Sequence, residues 1–151
     1  MAKPTGEPSL GRVLATGVVS WLVPGLGHVI NGDRKRGLVL IIVTTATFWG
    51  GVAVAGAQST FKPRERTLWF VAQVCAGGHT IVGISWGQAL AAQPGVKYAG
   101  FVAEDVAVIY TSVVGLLNVL IIIDALLATD PKYVRVGVRP PPQTRVSEAA
   151  S

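Results

Sequence analysis

Charge is what this sequence has least of. Only 14% of its 151 residues are Asp, Glu, Lys or Arg, while half are hydrophobic. A soluble domain carries about 25% charged residues, so this chain lacks the means to cover a water-facing surface. The scarcity is regional. No Asp, Glu, Lys or Arg occurs in 13–32, 37–61, 67–96 or 106–123. There is one cysteine, Cys75, which excludes an intramolecular disulfide. Two histidines and eight acids, mostly outside the apolar windows, leave little for metal or acid–base chemistry. The length is that of a single domain.

What the chain does have is apolar length. Each uncharged window reaches or nears the roughly 20 residues that cross a bilayer's hydrocarbon core. These windows predict an all-α, integral membrane bundle of four transmembrane helices at about 11–30, 37–57, 68–87 and 106–127. Residues 1–9 form a polar leader in which Ser9 is placed to cap the first helix. Residues 10–131 form the membrane domain, and 132–151 a basic, proline-containing tail. Trp69 and Trp86 fall near the two ends of the third segment, as an aromatic belt requires. Lys3, Arg12 and the apolar run after them share features with a secretory signal, but neither candidate cleavage site, Val18-x-Ser20 or Gly25-x-Gly27, has the A-x-A form, and the apolar character continues past both.

The formal charge is +5. The cations flank apolar windows rather than forming a basic face on a soluble fold, so the expected partners are membrane lipids and not nucleic acid. With four crossings, two cations in the leader, three at Lys62, Arg64 and Arg66 and four in the tail make nine on one side. Arg34, Lys35, Arg36 and Lys97 make four on the other. The excess of positive charge predicts both termini in the cytoplasm of a multi-pass protein of the bacterial inner membrane.

The stretch "WLVPGLGHVINGDRKRG", Trp21 to Gly37, breaks its own helix. Pro24 has no backbone donor, Gly25 and Gly27 release the chain from helical angles, and Asn31 to Asp33 is a turn signal. A break is tolerated only near headgroups or against protein. The expected form is a short first helix, about Gly11 to Val23, then a corner containing Pro24, Gly25, Gly27, His28 and Gly32. Arg34, Lys35 and Arg36 then meet lipid phosphates, and a second helix starts at Gly37. "PGLGHVINGDRKRG" resembles the PGxGHxxxGxxxxG corner of an uncharacterised, domain-of-unknown-function family of small bacterial integral membrane proteins. It is loosely similar to the corner of the two-transmembrane-helix domain family. "GLLNVLIIIDALLATDP" resembles the closing helix of the uncharacterised family. The resemblance spans most of residues 10–131 and implies a four-helix membrane fold. It implies no activity.

Four features bear on chemistry. "GISWG", Gly83 to Gly87, matches the pattern of a serine-hydrolase elbow, but Ser85 ends an apolar helix and both histidines precede it, so an enzyme is not expected. Gly83 and Gly87 read instead as a helix-packing face, as do Gly77, Gly78 and the Gly51/Ala55 pair. Cys75 and His79 lie four apart on one predicted helix and with His28 would supply three ligands, an incomplete metal set. His79, Asn118 and Asp124 are the buried polar residues, and Asp124 is the sharpest of them, because an ionisable group among apolar residues needs a partner. Lys132 and Arg12 are the cations expected for it. No cofactor is implied. The expected function is a non-enzymatic accessory, scaffold or assembly component that packs against another membrane protein or itself. The alternative is a small oligomeric transporter or channel using Asp124 and His79.

Overall fold

Seven helices and no strand make up the described residues, 9–130, of the computed structural model. They are α1 (Leu10–Leu22), α2 (Leu26–Ile30), α3 (Arg34–Ala55), α4 (Ala57–Thr60), α5 (Thr67–Val74), α6 (Gly78–Ala91) and α7 (Phe101–Leu127). The leader up to residue 8 and the tail from residue 131 lie outside the described residues.

Among the described residues, only α3 and α7 are long and apolar enough to cross a membrane. Their 22 and 27 residues correspond to about 33 and 40 Å. They run antiparallel: Gly51, late in α3, abuts Tyr110 early in α7, where a Cβ would stand 2.8 Å from the tyrosine Cβ. The side of the bundle at which α3 begins and α7 ends is called here end A, and the other end B.

The first and third predicted spans are not continuous helices. Ser9 starts α1, its hydroxyl accepting from the Arg12 amide. Residues Val23 to Gly25 then reverse the chain, with Gly25 at φ +95°, a region closed to most L-residues. The short α2 runs back along α1, so that Gly27 lies against Thr16 and Ser20 of α1 and Ala125 of α7. Gly17 of α1 faces Leu126, while the Trp21 carbonyl accepts from Asn118 at 3.4 Å. α1 therefore enters from end A, reaches the level of Asn118, and turns back. The elbow seats on α3, where a Cβ on Gly25 would stand 2.6 Å from the Gly37 carbonyl oxygen.

The third segment does the same from end B. Residues Cys75 to Gly77 break it, and Gly77 takes φ +61°. α5 descends beside α7, with Ser112 donating to the Trp69 carbonyl (3.1 Å) and Asn118 to that of Cys75 (2.9 Å). α6 returns toward end B, where Gly83 packs on Phe61 and Gly87 on Ala57. The four predicted full-length helices are thus replaced by two long apolar helices and two hairpins entering the bundle from opposite ends. The hairpins meet tip to tip. Gly77 lies on the Trp21 carbonyl, and a Cβ at Gly78 would stand 2.5 Å from the Leu22 carbonyl oxygen.

This arrangement corrects several expectations. Trp69 and Trp86 sit on the two legs of one hairpin, not at opposite ends of one helix; Trp86 packs on Trp49 with ring centroids 5.9 Å apart. Cys75 and His79 do not share a helix face, because Gly77 breaks the helix between them. α3 begins at Arg34 and not Gly37, since the Asp33 side chain caps it by accepting from the Arg36 amide. Gly37 is thereby inside the helix, where lack of a side chain admits the elbow. α7 begins at Phe101 and carries Glu104 and Asp105 within it. They are tolerated because Lys62 bonds both oxygens of Glu104 (2.8 and 2.9 Å) and Arg66 pairs with Asp105.

The distribution of polarity is reversed from that of a soluble fold. Gln73, Thr111, Ser112 and Asn118 are within 1% of full burial, while Leu38, Val39, Ile42, Val43 and Leu120 are more than half exposed. The broken helices explain the interior. Each break frees backbone carbonyls, and buried side chains bond them: Thr80 to Gln73 O, and Asn118 to Trp21 O and Cys75 O; Gln73 and Ser112 likewise bond the carbonyls of Thr60 and Trp69. Buried carbonyls must be partnered, and in hydrocarbon no water does it.

Candidate functional site

His28, Asp124 and Arg36 meet near end A. His28 is brought there by the reversal at Pro24 and Gly25, which lays α2 between α1, α3 and the last turns of α7. Its Nε2 lies 2.6 Å from Asp124 Oδ2. Arg36 Nη2 lies 2.9 Å from the same oxygen, reaching it from the first turn of α3. The three differ in exposure: His28 is 2% exposed, the Asp124 side chain 29% and that of Arg36 56%. A carboxylate here accepts, so Nε2 carries the hydrogen and His28 Nδ1 is the remaining ring atom, buried without a partner. Asn31 closes the group by donating to the Ala125 carbonyl at 2.8 Å.

The partner of Asp124 is therefore neither Arg12 nor His79. Arg12 is one turn into α1 at its exposed end, and Lys132 lies outside the described residues. Arg36 takes this role from the cluster assigned to lipid phosphates; Arg34 and Lys35 stay exposed beside it. The signal was available: once "RKR" forms the first turn of a helix adjoining the end of α7, one of its side chains faces inward. What the sequence did not show was that the helix starts there.

The other named residues lie elsewhere. His79 Nε2 is 3.0 Å from Thr45 Oγ1, and its ring packs on Phe48. Asn118 holds the two hairpin tips together through Trp21 and Cys75. Cys75 Sγ donates to the Val71 carbonyl, and Ser85 Oγ to that of Ile81. Among the described residues no three His, Cys, Asp or Glu side chains group to hold a metal. Gly51, Gly77, Gly78, Gly83 and Gly87 all make their close contacts inside the chain, and Ala55 is buried with them. Gly115, not singled out from sequence, lies almost as tight on the Ala72 carbonyl as Gly77 does on that of Trp21. Gly32 has open space around it and only its φ of +96° to account for it.

At end B, Lys62 and Glu104, Arg66 and Asp105 close the second hairpin onto α7. Arg66 also stands over the Phe101 ring, 5.4 Å from its centroid. The hydrogen bonds and charge of Glu104 hold the Lys62 ammonium above its ordinary range.

The model of a family of unknown function, DUF6677, matches residues 15–136. The chain belongs to that family. No curated protein and no solved structure matches it. The DUF6677 match takes in the first hairpin from residue 15, the second hairpin, both long helices and all three members of the His28–Asp124–Arg36 group, so the site lies within the family's own span.

The group should contribute to stability. Replacing Asp124 by leucine leaves His28 buried against an apolar side chain and Arg36 without its carboxylate. Breaking a fully buried pair costs about 3–5 kcal/mol; with Asp124 nearly a third exposed, about 1–3 kcal/mol is expected. The check is thermal unfolding in detergent. The double variant His28→Leu/Asp124→Leu is expected to recover part of the loss, since both polar partners are then gone.

Proposed function

We propose that this chain is a non-enzymatic integral membrane protein of the bacterial inner membrane, crossing twice and presenting end A to the cytoplasm. The observation that carries this reading is the reversed polarity of the fold, with hydroxyls and amides inside and large aliphatic side chains outside. Water disfavours that arrangement, whereas hydrocarbon permits it. Charge supports the orientation. With both hairpins turning back, the leader's two cations, the three of Arg34 to Arg36 and the tail's four make nine at end A. Lys62, Arg64, Arg66 and Lys97 make four at end B. The total matches that of four crossings, but the RKR cluster changes sides.

Within the membrane it acts as an accessory or assembly component, through the apolar outer faces of α3 and α7 and through anionic lipid at Arg34 and Lys35. Since the close-packed glycines are consumed inside the chain, association uses larger side chains such as Leu38, Ile42, Leu116 and Leu120, all more than half exposed. Extraction of native membranes in mild detergent, followed by mass spectrometry of the intact assembly, is expected to find a stoichiometric protein partner. Loss of that partner on Ile42→Ser/Leu38→Ser would support this reading. A bare monomer or lipid-only species would overturn it.

A second reading, a small oligomeric transporter or channel, is favoured by the ionisable group at His28 and Asp124. Broken helices paired from opposite sides are also how many transporters place their sites. Its partner histidine for Asp124 is His28 in place of His79. Asp124→Asn in proteoliposomes should then abolish a flux while leaving the protein folded.

A further inference from the structure

Among the described residues, five of the seven unpartnered buried polar atoms lie around the first hairpin, the other two being Gln58 Oε1 and His79 Nδ1. Thr16 Oγ1, Ser20 Oγ, His28 Nδ1, Asn31 Oδ1 and Asn118 Oδ1 all belong to α1, α2, the turn after it, or α7 where it adjoins them. In the second hairpin Gln73 and Thr80 are spent on carbonyls, and His79, whose Nδ1 is also unpartnered, has its Nε2 against the Thr45 hydroxyl and not a carboxylate. Thr16 and Ser20, fully buried, lie on the α1 face that packs on Gly27, the residue before His28. Both are one helical turn apart, on the face opposite the exposed row Leu10, Leu14, Val18 and Leu22.

We propose that His28 is a proton-binding site, with Nδ1 the atom that takes the proton, Asp124 its positioning residue and counter-charge, and Arg36 its competitor. The inference goes beyond the accessory reading and deepens the transporter one, without requiring it. Asp124 Oδ2 accepts from His28 Nε2–H, which fixes the tautomer and leaves the lone pair on Nδ1. Protonation there forms a new N–H bond and converts the ring to imidazolium; no other bond changes. Buried imidazolium needs an adjacent negative charge. Asp124 supplies it, but Arg36 occupies the same oxygen. Two cations on one carboxylate disfavour each other, so the proton is held when the guanidinium is away and released when it returns.

The charged groups around His28 support this exchange. α7 contributes Asp124 and α3 contributes Arg36, while α1 contributes the neutral Thr16 and Ser20. The Asp33 amide bonds the His28 carbonyl at 2.9 Å, and its carboxylate is turned to cap α3. Arg36 is the exposed member and long enough to swing into solvent or onto a lipid phosphate. The turn that joins α2 to α3, Asn31 to Asp33, directly precedes the helical turn that carries it. Proton binding is thereby coupled to the position of the first turn of a crossing helix.

The test is 15N NMR of histidine-labelled full-length protein in lipid nanodiscs, from pH 4 to 9, with His79→Gln used to assign the two rings. Neutral His28 is expected as the Nε2–H tautomer, and its Nδ1 signal should titrate. Arg36→Gln should move the midpoint up, since it removes a like charge, and Arg36→Lys should restore it toward the wild-type value. Arg36 is half exposed, so the glutamine variant tests the idea even if Asp124→Asn does not fold. A neutral Nδ1–H tautomer, or a midpoint in Arg36→Gln equal to or below the wild type, would overturn the site. Titration without any flux would sink the transporter reading alone, and a flux surviving without titration would sink the site alone.

Discussion

Gly77→Leu is expected to leave almost no folded protein to extract. Gly77 holds φ +61° at the tip of the second hairpin, and its missing side chain is where the Trp21 carbonyl sits. A leucine there adds the strain of a left-handed residue, about 1–2 kcal/mol, to an overlap with main chain that no rotamer relieves. Overpacking alone costs about 1–3 kcal/mol and occasionally more. The junction also carries Asn118, which bonds the carbonyls of both tips. Separating the tips would leave these buried groups without partners, at about 1–3 kcal/mol each. The sum approaches the roughly 5–15 kcal/mol by which domains are stable. Fluorescence-detected size exclusion after detergent extraction should show loss of the monodisperse peak. Gly50→Ala is the control, because Gly50 has open space around it inside α3 and alanine is the better helix former. If Gly77→Leu extracts and melts like the parent, the hairpins do not meet as described.

The second large effect is all-or-none and concerns the side of the membrane on which Lys35 and Arg64 lie. In a background of Cys75→Ala, single cysteines at these positions are probed with a membrane-impermeant maleimide. Two crossings with two returning hairpins put Lys35→Cys on the side of the C-terminus, protected in intact cells and labelled in inside-out vesicles. Arg64→Cys should be labelled from outside. Four crossings exchange the two results. Positive charge alone cannot choose between the topologies, because moving the RKR cluster and the Lys62 to Arg66 cluster in opposite directions shifts three cations each way. The structural argument rests on lengths: α1 has 13 residues and α5 has 8, about 20 and 12 Å, short of a hydrocarbon core.

Gly83→Leu shows how the structure changes the meaning of an experiment. From sequence, Gly83 and Gly87 form a face for a partner, and a bulky substitution there should dissociate a complex. In the fold a Cβ at Gly83 would stand 2.6 Å from the Phe61 ring, and one at Gly87 equally close to the Ala57 carbonyl oxygen. The small-residue spacing did report close packing. It could not report whether the neighbour belonged to the same chain.

Several features were legible in the sequence because they depend on local chemistry. Ser9 caps a helix, Pro24 and Gly25 end one, and Asn31 to Asp33 makes a turn, each from the properties of the residues themselves. The all-helical character and the two long apolar helices followed from window length, and the "PGLGHVINGDRKRG" corner pointed to an uncharacterised family. The second break escaped notice. "CAGGH" is as glycine-rich as the first corner but has no proline and no charge after it, so the apolar window read through it as one helix. Asp124 was visible as a group needing a partner, and its partners were not.

By itself, then, the sequence determined the all-helical, apolar character of the chain, the cap at Ser9, the break at Pro24 and Gly25 and the need for a counter-charge at Asp124. Those are consequences of side-chain polarity and backbone propensity within a few residues. Only the tertiary structure decided that two of the four apolar segments turn back, that their tips meet at Asn118, and that Arg36 rather than a more distant cation reaches Asp124. The physical reason is that a broken helix is viable only where distant side chains partner its freed carbonyls, and those contacts span 43 to 97 residues of chain.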